Sequence, residues 1–466
     1  MFVFYDTETT GTNVSFDQIL QFAAILTDDN FNVVDTIDTR CRILPWVVPA
    51  PGALRVTRMS PSKISDARLP SFYEMMCSVR SKLDTWSPST YIGYNTFLFD
   101  EPLLQRAFWQ ALLPPYLTVT NGNSRADLLP MLRALSDLVP GAINFAQTDN
   151  GRLSFKLDAT APINGFNNNN AHNALGDVEA TIFLCRLVKE RVPDFWSAII
   201  SRASKKAASK LLNDEQPVLV ADYQYQTGTS LWWCQRVDQS GAHDRTALLA
   251  KLDFDWRALG SGGQHENSGF ALHHSKGLKQ ISLNKCPVMF SLAEAKDLFD
   301  ISPAPELLEQ GRVLRTNDEI RGLVVGLEKR APLEPTRSSH LEMQIFDGFS
   351  NRRDQILMDR FHVSSPNQQA NMVSQFSDRR LQMLAQRIVY VNAPDQLAAS
   401  DRLRIEDAIV ERICTDHNDK KLWRTLPGAK KELDELVRVE GPTDLSFEIA
   451  NWMESRPLVL RSRPTE

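Results

Sequence analysis

The sequence predicts an α/β protein in three parts: a first part of about 190 residues built on a mixed sheet, a small all-β module, and a helical C-terminal third. Three observations predict it. Strand-like runs open the chain and then alternate with helical segments, the pattern of strands and helices layered around one sheet. Between Pro217 and Phe290 short apolar runs are separated by turn residues (PVLVADY, SLWWCQRV, TALLAKLDF, ISLNKCPVMF). From about Leu341 onward apolar residues recur at helical spacing. At 466 residues the chain is also too long for one core.

Taken in order, Phe2–Tyr5 is aromatic and β-branched and reads as a buried strand. Ile19–Thr27 and Phe31–Thr36 follow as strands joined by an Asp-Asp-Asn turn, giving an antiparallel meander. Pro49–Gly52 reads as a loop, Ser60-Pro61 as a helix start and Phe72–Leu83 as a helix. Thr90–Tyr94 is a short strand, and Asp100–Ala111 and Arg125–Asp137 are helices. The Asn run 167–170 has nothing to bury and reads as a loop, before a helix within Ala171–Arg191. Ala293–Arg330 returns to helix, and APLEPTRSS (331–339) reads as a linker.

Net charge is −5, divided as −4, +1 and −2 among residues 1–190, 191–340 and 341–466, so no segment is a basic nucleic-acid-binding domain by bulk charge. A polyanionic substrate must then be held by local patches and metal ions. Six scattered cysteines without a C-x-x-C pair argue against a disulfide framework and a structural zinc site, and fit a reducing cytoplasm. The chain runs straight into a strand, which predicts no signal peptide, and no apolar run reaches the ~18 residues of a membrane span.

The chemistry begins in the first strand. Residues two apart on a strand share a face, so Asp6 and Glu8 set two carboxylates side by side. Such a pair repels itself unless a cation lies between. Asp100 follows Phe99 at a helix start, where negative charge is favoured. His172 and Asp177 are five apart, about 140° around a helix, so His172 must lean in from the entering loop while Asp177 faces the same centre from the helix. Four carboxylates suit hard divalent cations, and one imidazole supplies a base that titrates near neutrality.

The ordered set D-x-E, N-x-x-x-F-D and H-x-x-x-x-D resembles the DEDD exonuclease superfamily, histidine branch. SFKLD (154–158), the Asn-Ala-His ending at His172, LNKCPV (283–288) and FDGF (346–349) extend the resemblance to the bacterial exonuclease I family along the whole chain. The resemblance implies a ribonuclease H-like exonuclease domain with a mixed sheet (1–192), a small SH3-like β domain with accessory helices (193–338) and an α-helical C-terminal domain (339–466), forming a C-shaped ring around the strand. It implies 3′→5′ degradation of single-stranded DNA to 5′-mononucleotides in DNA repair and recombination, with two Mg²⁺ ions that Mn²⁺ can replace. It implies a cytoplasmic monomer, away from membranes, whose protein partner is the acidic C-terminal tail of single-stranded DNA-binding protein.

Within that frame Asp6, Glu8 and Asp177 are expected to ligate metal, Asp100 to hold the second ion directly or through water, and His172 to act as general base. Glu8 and Lys156 are expected to bind substrate, Lys156 standing where the family often has arginine and so giving up bidentate contact. Tyr116 and Arg133 are candidate stacking and phosphate contacts. The family's tryptophans near 118–120 are replaced here by Thr-Val-Thr. Trp232 and Trp233 point to opposite faces of one strand, so at least one belongs to the core, and the run Arg202–Lys210 reads as a solvated face with the charge to follow a nucleic-acid backbone. The β module and the helical third are expected to close a channel over the strand, the helical part as a lid on the 331–339 linker. Two other readings fit less of the chain. An RNA exonuclease of the compact kind leaves about 270 residues unexplained, and a non-catalytic repair scaffold leaves five intact acid and base positions unexplained.

Overall fold

The computed structural model describes residues 1–167, 173–214, 216–224, 228–238, 245–256, 277–328, 338–417, 419 and 421–461. Its first sheet contains β1 (Phe2–Thr9), β2 (Ile19–Thr27), β3 (Val33–Arg40), β4 (Thr90–Gly93) and β5 (Ser124–Asp127), in the order β3-β2-β1-β4-β5. β1, β2 and β3 form the expected antiparallel meander, while β4 and β5 run parallel to β1, so the sheet is mixed. β1 lies at the centre because both its faces are apolar: Phe2, Val3, Phe4 and Tyr5 are all buried.

Helices cover both faces. Phe2 and Phe4 pack with Ala174, Val178 and Ile182 of the helix Ala174–Arg191 and with Trp196. Val3 and Tyr5 pack on the other side with Leu54, Met76, Val79, Leu103 and Phe108, from the helices Pro51–Thr57, Phe72–Thr85 and Asp100–Gln110. A two-stranded ribbon of β6 (Ala146–Gln147) and β7 (Leu153–Ser154) precedes the short helix Leu157–Ile163. The middle sheet contains β8 (Val218–Gln224), β9 (Gly228–Arg236), β10 (Thr246–Lys251), β11 (Leu278–Ser282) and β12 (Met289–Phe290), all antiparallel in the order β11-β10-β9-β8-β12.

Several elements differ from expectation. Arg125 is in β5 rather than a helix, because its strand pairs Tyr91 and the helix starts only after Asp127 caps it. Pro51 begins a helix instead of lying in a loop, at the N-terminal position where its missing N–H costs nothing. Phe31 belongs to the turn, with φ of 62°, so the third strand starts at Val33. ISLNKCPVMF divides into β11 and β12 around Cys286, itself at φ of 44°. Ala293–Arg330 becomes three helices, Leu292–Phe299, Pro305–Thr316 and Asp318–Glu328. Residues 331–337 of the expected linker and the glycine-rich stretch 260–263 lie outside the described residues.

The three parts share their cores. Leu219, Trp233, Leu248 and Phe290 of the middle sheet join the cluster that contains Phe2 and Phe4. Tyr390, Ile409, Ile413, Leu426, Leu433, Ile449 and Met453, all C-terminal, join the cluster that contains Val3 and Tyr5. Glu448 accepts from the Ser62 backbone N–H at 2.8 Å, Trp452 donates to Ser65 at 3.1 Å, and Arg456 donates to the Leu44 carbonyl at 3.0 Å. The helical third is therefore built onto the first part rather than hung from it as a separate lid.

Candidate metal centre

The pleat that buries Phe2 and Phe4 under the helix Ala174–Arg191 continues to Asp6 and Glu8, which emerge on the same face where that helix begins. Asn173 caps the helix by accepting from the Leu175 N–H at 3.1 Å, and its amide oxygen also accepts from Gln21 Nε2 at 3.1 Å. Gln21 pairs with Glu8 across β1 and β2, so the cap fixes the first turn beside the two acids. That turn carries Asp177. One carboxylate oxygen from each of Asp6, Glu8 and Asp177 lies within 4.8 Å of the others.

Burial pushes the Asp6 carboxyl well above its usual range, and the charges of Asp100, Asp177 and Glu8 push it further. Burial, Asp177 and Asp100 push Glu8 up to about 7, with Arg40 opposing. A divalent cation would remove this cost. The donor set is oxygen only, which suits Mg²⁺ or Mn²⁺ over softer metals, so the residues present fit the expected cofactor.

Asp100 is the first residue of its helix and only 3% exposed. It does not cap that helix: Phe99 holds the cap position, and Asp100 Oδ1 instead accepts from the Thr7 hydroxyl at 2.6 Å. Burial raises its pKa to about 7, with the Thr7 hydroxyl opposing. Asp100 thus adjoins the three-acid group through Thr7 without belonging to it. The loop before it is shaped by two further residues. Gly93 has no room for a Cβ, which would come 1.9 Å from the Thr96 methyl. Asp127 accepts from the N–H groups of Asn95, Phe97 and Leu129 at 2.8, 3.1 and 3.0 Å, while burial raises its pKa to about 6. Its signal in the sequence was an acid just before the apolar run Leu128-Leu129, the pattern of an N-cap. Glu101, bonded to Tyr5, Gln105, Thr118 and Arg125, had none: its partners are scattered over the chain.

His172 lies outside the described residues; its neighbour Asn173 precedes the first helical turn. Lys156 is exposed at the N-terminus of the helix Leu157–Ile163. Arg133 is half-buried. Its guanidinium stacks 4.0 Å over Tyr223 and 5.9 Å from the Phe155 ring, in the seam between the first part and the middle sheet. Tyr116 is half-buried near Arg106 and Arg245. Trp233 is core, whereas Trp232 carries Lys251 and Lys279 over its ring at 3.5 and 4.7 Å. Arg202 leaves the expected basic face altogether: it is 6% exposed and clamps Glu294 through both carboxylate oxygens.

Residues 3–184 match a family model described as exonuclease, and residues 339–447 match one described as exonuclease I C-terminal domain. The chain is 29% identical over 427 residues to exodeoxyribonuclease I of Escherichia coli K12, covering 86% of this chain and 88% of that one. It is 30% identical over 381 residues to exodeoxyribonuclease I of Haemophilus influenzae, covering 76% and 78%. A crystal structure of E. coli exonuclease I in complex with a dA16 oligonucleotide superposes with a TM-score of 0.81, covering 98% of this chain and 99% of that one, at 24% identity, a likeness of fold. The mixed sheet with its acids and the helical C-terminal region are those of a ribonuclease H-like exonuclease, and the chain belongs to the exodeoxyribonuclease I family of enzymes.

Proposed function

We propose that this chain removes nucleotides from the 3′ end of single-stranded DNA by metal-dependent phosphodiester hydrolysis, releasing 5′-mononucleotides, in DNA repair and recombination. The observation that carries the reading is the convergence of Asp6, Glu8 and Asp177 within 4.8 Å at the mouth of a family-typical sheet. The E. coli relative solved with a dA16 oligonucleotide supports the choice of substrate.

Asp6, Glu8 and Asp177 would hold one Mg²⁺, and Asp100 would complete the site of a second. Bound there, two divalent ions supply charge stabilisation for the attacking and leaving oxygens of the phosphodiester. Around them the chain's own residues divide the work. His172, two residues before Ala174 in the sequence, accepts the proton of the attacking water at neutral pH. Glu8 also positions the terminal nucleotide, Lys156 and Arg133 neutralise phosphates, and Tyr116 offers a stacking face. The family membership supports a cytoplasmic monomer that meets the acidic C-terminal tail of single-stranded DNA-binding protein; among the described residues no helix is long and apolar enough to cross a membrane.

The test is degradation of 3′- and 5′-labelled single-stranded oligonucleotides with Mg²⁺ and with EDTA. Early release of label from the 3′ end alone, in Mg²⁺ alone, is the expected result. Asp6→Ala should abolish cleavage and still bind the oligonucleotide in EDTA. Loss of label first from the 5′ end, or cleavage in EDTA, would overturn the reading, and equal degradation of RNA would overturn the substrate class.

A further inference from the structure

Strand β1 carries two alternating sets of side chains. The even set, Asp6 and Glu8, faces Asp177. The odd set, Tyr5 and Thr7, faces the opposite way and meets the helix Asp100–Gln110. There the Tyr5 hydroxyl donates to Glu101 at 2.9 Å and the Thr7 hydroxyl donates to Asp100 at 2.6 Å. Two successive odd residues of the strand thus hold two successive acids of the helix. The two bonds differ in consequence. Glu101 is bound on several sides by Thr118, Gln105 and the buried Arg125, and is spent on packing. Asp100 takes the Thr7 hydroxyl on Oδ1, and its carboxylate also accepts from the backbone N–H groups of Thr7 and of Asp100 itself, so it is held by small hydrogen-bond donors of the strand and of its own helix start.

We propose that Thr7 is a positioning residue: its hydroxyl fixes the Asp100 carboxylate so that the second oxygen is presented to the ion next to the Asp6, Glu8 and Asp177 group. Partners that orient a ligating carboxylate in this way are commonly worth about 10–100-fold in metal affinity. Thr7 is 5% exposed, so the hydroxyl has no exchange with bulk water to replace the bond.

The proposal rests on the reading of Asp100 as a metal ligand, and the experiment separates the two. Mn²⁺ binding to the DNA-free protein is titrated calorimetrically for wild type, Thr7→Val, Thr7→Ser, Tyr5→Phe and Asp100→Asn, alongside the Mg²⁺ dependence of cleavage and KM for the oligonucleotide. Thr7→Val should weaken the weaker ion by about 10–100-fold, move half-maximal Mg²⁺ by the same factor, and leave KM unchanged. Thr7→Ser, which keeps the hydroxyl, should restore most of the lost affinity. Tyr5→Phe, which cuts the parallel bond to Glu101, should lower the melting temperature without moving metal affinity. Thr7→Val with wild-type Mn²⁺ binding, or Tyr5→Phe with the same metal defect, would overturn the role of Thr7. Wild-type binding by Asp100→Asn would instead overturn Asp100 as a ligand. Should Thr7→Val unfold too readily to titrate, Thr7→Ala removes the hydroxyl without adding an apolar branch and decides the same question.

Discussion

Without metal, the acidic cluster should make this protein less stable as pH rises, the reverse of ordinary acid denaturation. Glu8 sits at about 7 in the fold against 4.5 for the unperturbed group. A carboxyl whose folded pKa is raised costs nothing below its unfolded pKa; the cost grows as pH climbs between the two values and levels off above the folded one. At 1.36 kcal/mol per pKa unit, the cost is about 1.4 kcal/mol at pH 5.5 and about 3.3 kcal/mol at pH 8. These are upper bounds, because Asp6 or Asp100 can take the proton in its place. Glu8→Gln keeps the shape and removes the charge. With ~2.1 cal/mol/K of unfolding entropy per residue, 3.3 kcal/mol is about 3 °C if the whole chain melts as one unit and about 8 °C if the first part melts alone. Differential scanning calorimetry in EDTA, at one scan rate, should therefore find Glu8→Gln melting above wild type by up to about 3–8 °C at pH 8, with a smaller gap at pH 5.5. Saturating Mg²⁺ should reverse the order, because binding stabilises only a protein that still has its ligands. A variant that melts below wild type in EDTA at pH 8, or a gap that does not shrink on acidification, would refute the reasoning.

Three more outcomes are expected. His172→Ala should lower turnover by ~10²–10⁴-fold with little change in substrate affinity, and the wild-type rate should fall on acidification as the imidazole protonates; a flat profile from about pH 5.5 to 8, with chemistry rate-limiting, would remove the base. Glu342, whose burial would raise its pKa, is held instead at about 2 by Arg387 and Arg412, so its contribution to stability is present above the unfolded carboxyl pKa and is lost as pH falls toward 2. Glu342→Gln leaves two arginines without their partner and should cost about 3–5 kcal/mol in urea unfolding; an unchanged midpoint would refute the role of the pair. Truncation at Ser339 should give an aggregating product, since it removes Tyr390, Ile413 and Leu433 from the cluster around Val3 and Tyr5; a soluble fragment that cleaves short oligomers would restore the detachable lid.

Asp6 and Glu8 were legible because strand period alone puts them on one face, and Asp177 because the ordered motifs resemble a known family; the fold brings its helix turn to them. The central strand was legible from its unbroken apolar run. What escaped the sequence depended on partners far away in the chain. Arg125 looked helical beside the apolar face of Leu128–Leu135, but its strand is specified by pairing with β4, which local pattern does not encode. Arg202 looked solvated within a basic run, and only the fold brings Glu294, some ninety residues on, against it. The role of Arg133 needed Tyr223 from another part of the chain. The independence of the C-terminal third was overestimated for a similar reason: helical period shows that an apolar face exists, not which surface covers it.

The sharing of one core between Val3 and Met453 has a consequence for the order of synthesis. The helix Pro51–Thr57 leaves the ribosome long before the helices Leu426–Glu440 and Asp444–Arg461 that cover it. At ~5–20 residues per second the interval is roughly 20–80 s. Throughout that time the face of the first part that receives those helices stays uncovered. A nascent chain would therefore carry its acidic motif long before it could hold the strand that bears it rigidly, and a chain released early would be left with an apolar surface for quality control to recognise. The nuclease would become competent only once the helices Leu426–Glu440 and Asp444–Arg461 had been made.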